Sequence, residues 1–302
     1  MSWDLINPSW PPPQLPGSQM RTVIVTASNE AYFPFLDGLL ASLGQWESRP
    51  CTDIACFDVG LFSDSRAAVA RRVTHLIDPG WDLDVDRDLR EQQPALRAIT
   101  LRPFLPRYLP GYDIYVWIDA DAWVQERLAI ARLIEGAAQG ALAAVAHAHD
   151  AYRTSREVLD GRTRRMEAGF GREAVVRGHW DAYLNAGVFA LHRDAPHWGP
   201  WAMAFSRALA ATGGKLCSDQ EPLNHAVWSE HLPVHLLPAV CNWLCHLALP
   251  RRDSGSGKFF EPTAPGRAIG IVHLTGYPKL TVRETESDGP IDFGFPGRGA
   301  SA

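Results

Sequence analysis

The chain has 302 residues, 46% hydrophobic and 21% charged, an ordinary globular composition with ample material for a core. A formal charge of −5 lacks the basic footprint of a nucleic-acid binder, and no apolar run reaches the roughly 18–20 residues of a membrane span. Five cysteines, an odd number, read as reduced thiols of a cytoplasmic protein; the N-terminus shows neither the basic nor the apolar region of a secretory signal, and peripheral contact with a membrane stays open.

Residues 1–20 are Pro-rich and aperiodic and read as an extended arm carrying Trp3 and Trp10. Regular structure begins with T-V-I-V-T-A, a β-branched run that predicts a buried strand. Ala31 to Leu43 has helical spacing, with Pro34 in its first turn. Asp53–Asp58 then predicts a strand, Ser63–Arg72 a helix, Val73–Ile77 a strand, and Gln92–Tyr108 a helical stretch broken by prolines. The apolar strand 113–118 is followed by a helix over Leu128–Glu135 and a strand over Ala141–Ala146. Tyr152–Val176 is arginine-rich, helix or loop, and its charges read as a solvated face or a surface for an anionic partner. Asn185–His192 predicts a strand, Pro196–Ala211 and Gln220–Ser229 helices, and Ala268–His273 the last ordered piece before a tail over 281–302. Strands alternating with helices imply one α/β domain, a mostly parallel sheet with helices on both faces.

The central strand ends in D-A-D, Asp119 and Asp121, where such sheets bind ligands. Residues two apart in extended chain face one side, so the two carboxylates repel unless a cation lies between them. The competing reading is a solvated strand end. Asp82, Asp84, Asp86 and Asp88 fail as a calcium loop, because Arg87 and Gln93 stand where the glycine and the bidentate acid belong. Cys241, Cys245 and His246 lack a fourth zinc ligand and read as structural.

Five separated pieces resemble glycosyltransferase family 8, retaining enzymes of GT-A fold that include glycogenin and lipopolysaccharide galactosyltransferases. They are T-A-S-N-E-A-Y at 26–32, Arg102, D-A-D at 119–121, N-A-G-V-F at 185–189 with S-D-Q at 218–220, and H-L-T-G-Y-P-K at 273–279. The resemblance implies a catalytic domain over 21–280, with a donor-binding half over about 21–150 and an acceptor-side half over about 151–280. It implies transfer of a hexose from a nucleotide-sugar, UDP-linked, to an acceptor hydroxyl on a carbohydrate, glycolipid or protein. Asp119, Asp121 and His273 would hold a metal, and this mixed oxygen and imidazole set suits Mn²⁺ better than Mg²⁺. Ala27, Ser28, Asn29 and Tyr32 would surround the base and ribose, with Arg102, Ala120, Gly276 and Lys279 also on the donor. Asn185, Ala186 and Gly187 would line the sugar, with Asp219 and Gln220 as catalytic residues beside its anomeric carbon. Asn242 and Trp243 are acceptor-side candidates.

Structural alternatives accompany these roles. Ser28 or Asn29 is a natural helix N-cap, Ser218 another, and Trp243 equally suits a core. Glu30 stands where family members often carry Asp, and Arg97 and Arg107 compete with Arg102. A non-catalytic nucleotide-sugar- or carbohydrate-binding protein on a transferase scaffold is the second functional class. An apolar strand ending in D-x-D also opens haloacid-dehalogenase-type phosphatases, but no G-D-x-x-x-D or D-D follows downstream.

Overall fold

A computed structural model of the chain describes residues 20–44, 52–178, 182–215, 218–263 and 265–276, with the backbone of 282–285 and 289–292. In chain order β1 (Thr22–Ser28), α1 (Phe33–Gly44), β2 (Thr52–Asp58), α2 (Ser63–Ala70) and β3 (His75–Ile77) come first. Three short helices follow, α3 (Arg87–Gln92), α4 (Arg97–Thr100) and α5 (Leu105–Tyr108), because Pro94, Pro103 and Pro106 each restart a turn. Next are β4 (Ile114–Ile118), β5 (Ala122–Val124), α6 (Arg127–Ala138), β6 (Leu142–Ala146), α7 (Arg156–Phe170), α8 (Arg172–Val176) and β7 (Leu184–His192). The chain continues through α9 (Trp198–Ala211), α10 (Gln220–Ser229), β8 (Val234–Leu236), β9 (Trp243–Leu244), β10 (Arg251–Arg252), β11 (Phe259–Phe260) and β12 (Ile271–His273), then β13 (Val282–Thr285) and β14 (Gly289–Asp292).

The main sheet has the order β3-β2-β1-β4-β7-β6-β8. β4 is apolar throughout because both its faces are covered. Ile114, Val116 and Ile118 pack with Leu39 and Leu43 of α1 and with Ile130 and Leu133 of α6. Tyr115 and Trp117 point the other way, into a second core with Leu101, Leu105, Trp201 and Phe205. Each such fully buried side chain contributes about 1.5–3 kcal/mol.

The sheet is parallel through β3, β2, β1 and β4, and β8 is parallel to β6. β7 runs antiparallel to both of its neighbours. A strand buried on both faces has the same apolar signature in either direction, so its sense was not readable from residue pattern. The reversal matters, because Ile118 pairs with Val188 and the start of β7 lies beside the end of β4.

A second sheet, β5-β12-β9, closes over that edge. β5 follows D-A-D directly and pairs antiparallel with β12, setting His273 opposite Ala122. Its strands have two or three residues, too few for a periodic pattern. β13 and β14 pair antiparallel in the region the sequence reads as a weakly structured tail.

The Asp82–Asp88 loop is used locally: Asp82 accepts from Tyr108, Asp84 pairs with Arg90, and Asp86 caps α3 through the Leu89 amide. Cys56, Cys241 and Cys245 are buried and free, and burial pushes the Cys56 and Cys241 thiols up to about 12. The arginines of α7 divide. Arg156 is exposed, whereas Arg162 is buried and Arg165 reaches the buried carboxylate of Glu221 at 2.7 Å. They are not simply a solvated face. Among the described residues, no helix is long and apolar enough to cross a membrane.

Candidate active site

The D-A-D turn leaves β4 with Asp119 still on the ladder, its amide donating to Gly187 O at 2.8 Å. Asp119 divides its carboxylate between two tasks. Oδ1 accepts from Arg102 Nη2 at 2.6 Å and from Trp117 Nε1 at 2.8 Å. Oδ2 lies 3.7 Å from His273 Nε2, which is 3.5 Å from Asp121 Oδ1. One ligand atom from each of the three residues falls within 4.8 Å of the others.

Whether His273 can ligate an ion depends on its tautomer, and the hydrogen bonds decide it. The Gly187 amide can only donate, and it donates to Asn185 Oδ1 at 3.0 Å. That oxygen also accepts from Asn242 Nδ2 at 2.9 Å, so Asn242 Oδ1 faces the other way, 2.9 Å from His273 Nδ1. Nδ1 therefore carries the proton and Nε2 presents its lone pair to the two carboxylates. Two acids and an imidazole lone pair facing one another fit a divalent cation, with the outer amide orienting the ligand.

Gly187 is required by space. A Cβ there would lie 2.4 Å from His273 Cε1 and 2.5 Å from Asp119 Oδ2. Gly276, just past His273, has φ +91, and a Cβ there would approach His246 Cβ at 3.1 Å. Lys279 lies outside the described residues.

On one side of this edge is a cleft of about 290 Å³ that brings together Ala27, Ser28, Asn29, Tyr32, Arg102, Asp119, Ala120 and Asp121. The N-cap reading is correct here: Asn29 Oδ1 accepts from the Tyr32 amide at 3.1 Å, while Ser28 Oγ donates to Asn29 O at 2.9 Å. Glu30 turns away, accepting from the Phe62 amide and Ser65 Oγ. Arg102 stands apart from its competitors, since Arg97 pairs with Asp78 and Arg107 with Asp82.

On the other side, Asn185 Nδ2 and the Ala186 amide both donate to Gln220 Oε1, at 3.0 and 3.2 Å. Arg102 Nη1 donates to Ala186 O at 2.8 Å and lies 2.7 Å from Asp219 Oδ2, off the line of a hydrogen bond. Burial pushes the Asp219 carboxyl up to about 6, helped by Asp119 and opposed by Arg102. Arg102 thus bridges Asp119 and Asp219, its guanidinium 4.5 Å over the Trp117 ring.

No family model matches this sequence, and neither does any curated protein sequence. Solved structures do resemble it. A bifunctional glycosyltransferase, WbbM, superimposes with TM-score 0.53 at 14% identity, over 87% of this chain and 47% of that one. The galactosyltransferase LgtC, in complex with donor and acceptor sugar analogs, gives TM-score 0.51 at 18% identity, over 85% of this chain and 88% of that one. This chain thus spans about half the length of WbbM and most of LgtC. The fold is GT-A.

Within this GT-A scaffold, two sequence assignments need correction. Trp243 is not an acceptor-side platform: it is fully buried, its indole donates to Ala248 O at 2.9 Å, and Tyr152 and His149 pack on its ring. Asn242 is likewise fully buried, and its work is to orient His273. Sequence reasoning missed Trp117, which helps hold Asp119, and the pair His147 and Arg162 beside Asn185. Trp117 lies two residues before Asp119, which was a usable signal; nothing local in the sequence joins Arg162 to His147. A second cavity of about 370 Å³ lies among α7, α8, α9 and α10, and none of the predicted site residues lines it.

Proposed function

We propose that the protein is a retaining glycosyltransferase of family 8 that moves a hexose from a UDP-sugar to an acceptor hydroxyl, with Mn²⁺ as its ion and Mg²⁺ as the alternative. The observation that carries this reading is the convergence of Asp119, Asp121 and the Nε2 lone pair of His273 beside the cleft of Ala27, Ser28, Asn29 and Tyr32. Those three residues would hold a dication, which would supply charge to neutralise a departing diphosphate.

The chain's own groups do the rest. Tyr32 and the small side chains of 27–29 receive the base and ribose. Arg102 fixes Asp119 on one side and Asp219 on the other. Lys279 adds a point charge at the phosphates, and Gly276 lets the backbone approach. Asn185 and Gln220 hold the sugar, and the Asp219 carboxylate, paired with Arg102, steadies positive charge at its anomeric carbon. The bond from that carbon to the diphosphate oxygen breaks, a bond to the acceptor oxygen forms on the same face, and the acceptor proton passes to the diphosphate. Residues about 21–150 form the donor-binding half, and about 151–280 the acceptor-side half, which also lends Asn185, Gln220, His273 and Lys279 to the donor.

The test is a thermal-shift screen of nucleotide-sugars with Mn²⁺, followed by donor hydrolysis. UDP-sugars raise the melting temperature, a chelator removes the effect, and Asp121→Ala lowers turnover at least about 100-fold. Binding without any release of sugar would instead favour a non-catalytic receptor. Full activity of Asp121→Ala would sink the metal role.

A further inference from the structure

Arg162 reaches from α7 into the interior, its guanidinium 4.6 Å over the Tyr183 ring and its Nη2 2.6 Å from His147 Nδ1. A guanidinium only donates, so Nδ1 must accept, and the neutral ring carries its proton on Nε2. Desolvation and the Arg162 charge both hold this ring neutral. The Nε2–H lies 3.3 Å from Asn185 Nδ2, and that atom is itself a donor, because Asn185 Oδ1 already receives the Gly187 amide. The Gln220 amide is within reach of His147, but its Oε1 has two lone pairs and already accepts from Asn185 Nδ2 and the Ala186 amide. Two N–H groups therefore meet at a half-buried residue, and the nearest acceptor, Gln220 Oε1, already takes two other donors. An incoming oxygen completes the arrangement.

Neither His147, Asn185 nor Gln220 lines the cleft of Ala27 to Tyr32. Asp119 and Arg102 stand between the two, one lining the cleft and the other also bonded to Ala186 O. A ligand oxygen that reached His147 would therefore come from outside the Ala27–Tyr32 cleft.

On the nucleotide-sugar reading above, we propose that His147 is a specificity-determining residue for the transferred sugar: its Nε2–H, fixed by Arg162 and set beside the Asn185 amide, donates to one hydroxyl oxygen of that sugar.

The first test needs no variant. Long-range ¹H–¹⁵N spectra of the intact protein labelled at histidine show His147 protonated on Nε2 and bare on Nδ1. With diamagnetic Mg²⁺, adding the UDP-hexose that binds shifts this Nε2–H, whereas UDP alone leaves it in place. The second test compares that UDP-hexose with its monodeoxy analogues. One deoxy position costs the wild type about tenfold in kcat/KM, the worth of a neutral hydrogen bond, and costs His147→Phe nothing further. Arg162→Met, with the tautomer released, shows reduced discrimination at the same position, and Arg162→Lys restores it. A proton on Nδ1, an equal response to UDP and UDP-hexose, or equal discrimination by wild type and His147→Phe overturns the proposal. If neither UDP nor any UDP-hexose binds, the nucleotide-sugar reading fails and this proposal with it. If UDP-hexose binds and His147 does not respond, this proposal alone fails.

Discussion

The two sides of Asp119 are built on different plans. At the Ala27–Tyr32 end of the cleft the polar side chains serve their own backbone: Ser28 bonds Asn29 O, and Asn29 caps the turn at Tyr32. Removing one such group leaves its neighbours where they were. On the Asn185–His273 side the polar groups are in series. The Gly187 amide orients Asn185, Asn185 orients Asn242, and Asn242 orients His273. An open cleft can rely on local bonds, whereas a site that must aim a lone pair needs its ligands held by further groups.

Substitutions can break or sharpen this contrast. Gly187→Ala should act most strongly, because its methyl would occupy the space of His273 and Asp119 at once. We expect donor turnover to fall about 100-fold or more with the fold retained, as for a misplacement near 1 Å at a reacting centre. Donor hydrolysis beside a melting curve checks this. Asn242→Ala frees the His273 ring and should weaken Mn²⁺ binding about 10- to 100-fold by calorimetry. Unchanged affinity would mean that the series does not transmit.

Glu261 pairs with Arg267 and with His149, whose ring packs on Trp243. Burial pushes its carboxyl up, but hydrogen bonds from His149 and Arg267 win and hold it at about 2, below its ordinary 4.5. A depressed carboxyl contributes stability above 4.5 that is lost as pH falls toward 2. Glu261→Gln should cost about 1–2 kcal/mol at pH 7 after allowance for solvent screening, and should flatten the acid limb of the denaturation profile. The smallest effect is expected in the open cleft. Asn29→Ala removes a cap worth about 1 kcal/mol by chemical denaturation, with Mn²⁺ affinity unchanged. A loss of Mn²⁺ binding in Asn29→Ala would erase the distinction between the two sides.

The sequence displayed the cleft better than the series. β1 runs directly into Asn29–Tyr32 and β4 directly into the D-A-D turn, each apolar run ending abruptly in polar residues, so element and ligand position could be read together. α6, α9 and α10 were legible from periodicity. The direction of β7 was not, since burial on both faces erases the alternation that would distinguish its neighbours. β5, β9 and β12 were too short to carry a period, though His273 was found through its spacing to Gly276. Asn242 and Trp243 were assigned to the acceptor side because an isolated amide and indole look alike whether they meet a sugar or a core. Arg162 was hidden among other arginines of α7, because a helix face gives no sign of which charge turns inward when its partner is remote.

Because β7 runs in reverse, its first residues rather than its last stand beside the end of β4, and the part of the chain before it carries α7 and α8. α7 cannot vary freely there: Arg162 meets His147 beside Asn185, and Arg165 meets the buried Glu221 next to Gln220, so a change in that segment reaches the neighbours of Asn185 and Gln220 together.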